Sequence, residues 1–244
     1  MAFLIVAFAL TALLYASVGF GGGSTYSALL SVAGVDYHIL PLIALACNIV
    51  VVLGSTVRFA RAGQVPWRRA FVLTVLSAPA ALVGGLTPID ERSFLALLGV
   101  TLVLTAAAMI LSVRAKDAKP ARTRLVPLAA VPLGYLAGVV GIGGGIFLAP
   151  LLHLTRWADT RAIAATASVF ILINSLFGIA GQVWKGGTGR LSAAIELGLP
   201  LLIAVAIGGQ IGSLLASRLL PEIWVRRLTA LLVGAIGLRL LVGS

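Results

Sequence analysis

Ten apolar runs, at about 3–18, 24–33, 39–57, 70–86, 93–113, 126–140, 146–154, 162–183, 191–216 and 225–242, leave almost no room for anything else in the chain. In lipid every backbone N–H and C=O must find its partner within the segment or in a closed barrel. The period-two alternation of a barrel is missing, so the runs are expected to be helices. Most can cross a hydrocarbon core of about 30 Å at 1.5 Å per residue. The runs 24–33 and 146–154 reach only about halfway.

Only 10% of the 244 residues are charged, against 60% hydrophobic, and the mean hydropathy is +1.13. A soluble domain carries about a quarter charged residues, so this chain cannot cover a water-facing surface. The net charge of +11 invites a nucleic-acid reading. The basic residues lie in short loops between apolar runs, however, where membrane topology places them, so nucleic acid is excluded as a partner and the bilayer takes its place. The single cysteine, Cys47, rules out an internal disulfide framework. No basic residue precedes the first apolar run, and the chain is read from Met1 onward without a cleaved leader.

Each short run follows a glycine turn: GFGGGS at 19–24 and GIGGG at 141–145. The turns lie 122 residues apart, half the chain, and Leu29-Leu30 keeps that offset with Leu151-Leu152. Two homologous halves follow, 1–116 and 124–244, joined by a polar linker at 117–123. Each half is expected to hold a glycine-broken helix pair plus three transmembrane helices. The broken pair either crosses as a kinked helix or re-enters and leaves on its own side. With re-entry, the cytoplasmic side collects fourteen of the eighteen Lys and Arg residues, leaving Arg92, Lys185, Arg190 and Arg239 outside. With crossing the split is twelve to six, so the charges favour re-entry. Three full crossings per half would make the repeats inverted, an architecture common among transporters. The expected fold class is therefore an all-α polytopic membrane protein, located in the cell (inner) membrane.

Non-helical backbone at membrane depth is tolerated only when buried in protein or lining a wet cavity. The helix that starts after such a break presents N–H groups without intrahelical partners, at the positive end of its dipole. Glycine permits positive φ and close approach of the backbone. Gly19, Gly21, Gly22, Gly23 and Ser24, with Gly141, Gly143, Gly144 and Gly145, are thus candidate anion-binding positions. Neither turn matches a dinucleotide fingerprint or a phosphate loop.

The stretches YASVGFGGGSTYSALLSVAGV, IALACNIVV and RFARAGQVPWRRA resemble the first half of a sulfite exporter TauE/SafE family protein. AGVVGIGGGIFLAPLL and AIAATASVFILINSLFGIAGQV resemble its second half. The resemblance implies a membrane permease for sulfite, sulfonates or other small inorganic or organosulfur anions, without fixing which one or its direction. The two halves depart from each other at Ala46-Cys47-Asn48 against Thr166-Ala167-Ser168, and at Ala28 against Pro150.

Polar residues within the spans complete the candidate site: Asn48, Ser55, Thr166, Ser168, Asn174 and Ser175. Helix–helix hydrogen bonding is the competing account of each. Glu196 is a candidate for proton coupling, with an interfacial role as the alternative; sodium coupling also stays open. His38 and His153 follow the two half-length runs, and their spacing offers no metal cluster. An enzyme would need a nucleophile with its base, or a metal cluster, and neither is recognisable. No cofactor is expected. A secondary transporter of a small anion fits best, with an anion channel on the same scaffold as the alternative.

Overall fold

A computed structural model describes residues 1–18, 21–114, 126–214 and 222–243. The expected linker at 117–123, Gly19 and the stretch 215–221 lie outside the described residues. Among the described residues there are helices and turns but no strand. In chain order the helices are α1 (Ala2–Val18), α2 (Gly23–Val32), α3 (Leu40–Arg61), α4 (Trp67–Leu86) and α5 (Glu91–Arg114), then α6 (Val126–Val140), α7 (Gly145–Leu154), α8 (Thr160–Leu214) and α9 (Glu222–Gly243). The apolar runs therefore became helices, and the two short runs became the ten-residue helices α2 and α7. The two runs expected at 162–183 and 191–216 differ from expectation. Both are helical, as the two arms of α8, but they abut at a sharp break at Gly187 (φ 66°, ψ −171°) instead of being separated by a loop. Glycine adopts this positive-φ, extended conformation readily, so one residue suffices to break the helix and redirect the chain.

Helices α3, α4, the Glu91–Ile110 part of α5 and α8 are long and apolar enough to cross a bilayer. Phe3, Leu10, Phe71, Leu104, Ile207 and Leu231 are exposed, which gives the bundle an apolar outer surface suited to lipid. Inside, Phe8, Tyr26, Leu30, Ile43, Phe94 and Leu201 belong to one core, and Leu73, Leu148, Ile163 and Phe170 to a second.

The packing exchanges partners between the halves. Helix α6 lies along α4, α1 lies along the second arm of α8, and α5 lies along α9. Small residues permit these close crossings. A Cβ on Gly134 or Gly138 would collide with the carbonyl of Ser77 or Ala81, and one on Gly208 or Gly212 with that of Ala9 or Leu13.

Helix α4 marks the two ends of the bundle, since its 20 residues rise about 30 Å. At its start, Arg69 donates to the Trp157 carbonyl at 3.1 Å and its guanidinium sits 5.5 Å from the Trp157 ring. Past its end, the Thr87 carbonyl accepts from Lys185 at 3.1 Å, and Tyr135 donates to the Thr87 hydroxyl at 3.2 Å. The turn after α7 is thus at the Arg69 end. The turn after α2 holds Tyr37 and His38, which share a cavity with Lys185 and Arg190 at the other end, near Trp184. The half-helices leave their meeting point toward opposite ends of the bundle.

Candidate functional site

The site is built where α2 and α7 begin. Helix α2 opens with the Tyr26 N–H donating to the Gly22 carbonyl at 2.9 Å, so the N–H groups of Gly23, Ser24 and Thr25 precede its ladder. In α7 the Phe147 and Leu148 N–H groups both donate to the Gly144 carbonyl at 3.2 Å, which leaves Gly145 and Ile146 ahead of the ladder. No side chain caps either helix. Each N-terminus carries the equivalent of about half a positive charge. The two ends nearly touch: a Cβ on Gly23 would stand 2.5 Å from the Ile142 carbonyl oxygen. Ser27 of α2 also donates to the Val140 carbonyl at the end of α6, at 3.3 Å.

The two turns achieve this differently. Gly141, Gly143 and Gly144 have φ of 77°, 78° and 74°, which only glycine adopts readily. The expectation of positive φ is not met at the described glycines of the first turn, Gly21, Gly22 and Gly23; Gly22 has φ −91° and ψ 16°. There the glycines serve close approach instead. A Cβ on Gly22 would lie 2.8 Å from the Tyr26 ring and 2.9 Å from Thr11.

Asn48 of α3 sits between the turns. Cβ atoms on Gly21 and Gly143 would stand 2.7 Å from its Oδ1 and 2.8 Å from its Nδ2, and Gly23 also packs against its carboxamide. Asn48 is wholly buried, yet neither heteroatom of its side chain has a hydrogen-bond partner. Such a group costs about 1–3 kcal/mol if nothing ever pairs with it. Ser24 Oγ, Tyr26 OH, Asn174 Oδ1 and Ser175 Oγ are also buried and unpartnered. Of these, Ser175 reaches the second turn, 3.3 Å from a Cβ placed on Gly143. The Asn174 amide nitrogen is spent on the Phe170 carbonyl at 2.8 Å.

The other sequence candidates are arranged differently. Thr166 donates to the Ala162 carbonyl at 2.8 Å and Ser168 to that of Ala164 at 3.0 Å. Ser55 bonds the carbonyls of Val51 and Val52 at 3.4 and 3.3 Å. Their hydroxyl protons are engaged within their own helices. Glu196 is exposed on the second arm of α8.

Two residues that sequence reasoning did not single out belong to the site. Ile171 packs against Gly21, Gly143 and Gly145, and Tyr26 stacks on Phe8 with ring centroids 4.7 Å apart. Tyr26 falls one helical turn after Gly22, which is a readable signal; Ile171 is one apolar residue among many. A cavity of about 150 Å³ approaches the second turn from the Trp184 end. Its inner wall includes Pro41 and Val139, and Pro41 packs directly on Gly141.

Fold and site together define a multi-pass helical membrane protein in which two uncapped half-helices begin at one buried polar cluster. The family model described as sulfite exporter TauE/SafE matches residues 3–240, and the chain belongs to that family. It is 35% identical to the probable membrane transporter protein y4hK of Sinorhizobium fredii, over 98% of this chain and 97% of the relative. It is 24% identical to the probable membrane transporter protein MJ0441 of Methanocaldococcus jannaschii, covering 91% and 88% of the two chains. Identity to the probable membrane transporter protein YunE of Bacillus subtilis is 20%, over 89% of each. No solved structure matches the chain. Family and relatives alike mark it as a membrane transporter.

Proposed function

We propose that this chain is a secondary transporter of a small oxyanion, of the sulfite or organosulfonate class, held between the amide ends of α2 and α7. The observation that carries the reading is Asn48: a fully buried carboxamide with both heteroatoms unpartnered, set where both half-helices begin. An oxyanion supplies acceptors for the Asn48 Nδ2 protons, the Ser175 and Ser24 hydroxyls and the leading N–H groups. It also offsets two positive dipole ends that otherwise face each other.

The halves 1–116 and 124–244 act as inverted repeats, a reading supported by the opposite directions of α2 and α7 and by the exchanged packing of α1 on α8 and α6 on α4. Re-entry of both broken pairs agrees with this, since Arg69 and Trp157 meet at one end. Gly21–Ser24 and Gly141–Gly145 are all buried, which favours a carrier that opens alternately over an open pore. Outward movement of an anion from an inside-negative cell gains about 2.3 kcal/mol per charge per 100 mV, so export needs no further coupling; uptake needs protons or sodium.

The test is uptake of labelled sulfite, sulfate, thiosulfate and small sulfonates into proteoliposomes, with and without a proton gradient, combined with counterflow. Acceleration by unlabelled anion inside supports the carrier. Flux without counterflow marks a channel, and no anion flux under any gradient overturns the reading.

A further inference from the structure

The cavity at the Trp184 end carries chemistry of its own. Its walls include Tyr37, His38, Phe94, Gln182, Lys185 and Arg190, and every ionisable group of clear charge on them is basic. The Lys185 ammonium spends one bond on the Thr87 carbonyl at 3.1 Å, and an ammonium has three donors. Arg190 forms no ion pair among the described residues. The acids of the neighbouring loops bond first to their own segments, although Asp36 also feels the charge of Arg190. Asp36 accepts from the His38 backbone N–H at 2.9 Å and contacts its ring nitrogen at 2.8 Å, while Asp90 accepts from the Ser93 N–H at 3.0 Å. Two like charges sharing one concave, half-apolar wall repel each other, and field lines concentrate there. At about 150 Å³ the cavity holds several times the roughly 30 Å³ that one water occupies in the liquid.

We propose that this cavity is a second anion-binding site, a vestibule where Lys185 and Arg190 capture a small oxyanion before it reaches Asn48. The capture does not depend on the transport reading; the onward step does rest on it. The inner wall explains that order. Pro41 lines the cavity and packs on Gly141, where a Cβ would stand 2.7 Å from the Pro41 Cα, so a single backbone contact separates the vestibule from the second turn. Gln182, also on the wall, donates to the Gly138 carbonyl at 2.9 Å and thereby ties the cavity to the end of α6 that leads into that turn.

The experiment measures labelled sulfite flux in orientation-sorted proteoliposomes, separately from the Trp184 face and the Arg69 face, for wild type and Lys185→Met/Arg190→Gln. The double variant is expected to raise KM from the Trp184 face about tenfold, in line with electrostatic focusing, and to flatten its dependence on ionic strength. Vmax should stay within about twofold, and KM from the Arg69 face should not move. Lys185→Arg, which keeps the charge, should restore most of the KM. Unchanged KM at both faces, or an equal rise at both, overturns the vestibule. Equilibrium binding of labelled sulfite to Asn48→Asp provides a readout without flux. Retained binding that disappears on adding Lys185→Met/Arg190→Gln supports the vestibule, and absence of any binding overturns it. Normal flux in Asn48→Asp instead removes the central site while leaving the face-specific KM effect in place.

Discussion

Asn48→Asp changes the charge at the centre with almost no change in size. In the wild type a neutral carboxamide lies between two helix N-termini, and the account requires that this place be positive and reserved for a passing anion. The aspartate supplies a resident anion. At about 4 Å and an effective dielectric of about 20, its repulsion of a bound monovalent oxyanion is about 4 kcal/mol. Affinity at the centre should fall by about three orders of magnitude, because each 1.4 kcal/mol is a factor of ten. The same carboxylate gains from two helix dipoles, each worth about 0.3–1 kcal/mol and up to about 2 when partly buried, against its desolvation. The variant should therefore insert and fold with a Tm near or above that of anion-free wild type. Sulfite at 100 times Kd should stabilise the wild type by about 2.7 kcal/mol through the central site. The variant should lose that central stabilisation and show flux at background. Thermal unfolding in detergent, with and without sulfite, and proteoliposome flux provide the two readings. Wild-type flux in Asn48→Asp, or collapse of the fold because no positive field receives the carboxylate, refutes the reasoning.

Other perturbations separate the roles of neighbouring residues. Gly143→Ala should cost about 1–2 kcal/mol whatever stands at Ile171, because its φ of 78° is at fault; Gly22→Ala should cost little once Tyr26 is trimmed to Ala and Thr11 to Ser, because only crowding by those two side chains is at fault. A double-mutant cycle in thermal unfolding checks both. Glu196→Gln should leave flux and its response to a proton gradient unchanged, since the side chain is exposed; loss of the gradient response would place it on a proton path. Partial burial raises the Asp36 carboxyl, but bonds from the His38 N–H and ring, with the nearby charge of Arg190, hold it below the ordinary carboxylate value overall. Its contribution is present above the unfolded pKa and lost as pH falls through the folded one, so Asp36→Asn should flatten the acid limb of a stability–pH curve, by well under about 1 kcal/mol at this exposed site.

Much of the fold was legible because lipid leaves the backbone few choices. The apolar runs, the two half-length helices and the breaks before them follow from hydrogen-bond satisfaction and length, and the glycine clusters mark the breaks. The break at Gly187 was less legible, since glycines within 184–190 read equally as a loop or as a one-residue break between two abutting helices. In the site, composition could not distinguish Asn48 from Thr166 or Ser168. All are polar residues on membrane helices. The difference is that the hydroxyls of Thr166 and Ser168 reach their own backbone carbonyls four residues back, while the Asn48 carboxamide points across to glycines of two other segments. Lys185 and Arg190 were legible as topology signals only. That they line one cavity depends on the bend of α8 between them, which brings both against Tyr37 and Phe94.

The location of a bound anion tests the central claim most directly. Selenite is an oxyanion of the same shape as sulfite with a heavier, anomalously scattering centre, and a structure of the protein soaked in it reports position without inference from flux. The account predicts an anomalous peak within hydrogen-bond distance of Asn48 Nδ2 and of the leading N–H groups of α2 and α7. No selenite at Asn48, whether or not the vestibule is occupied, with Asn48 bonded to a neighbouring helix instead, would contradict it.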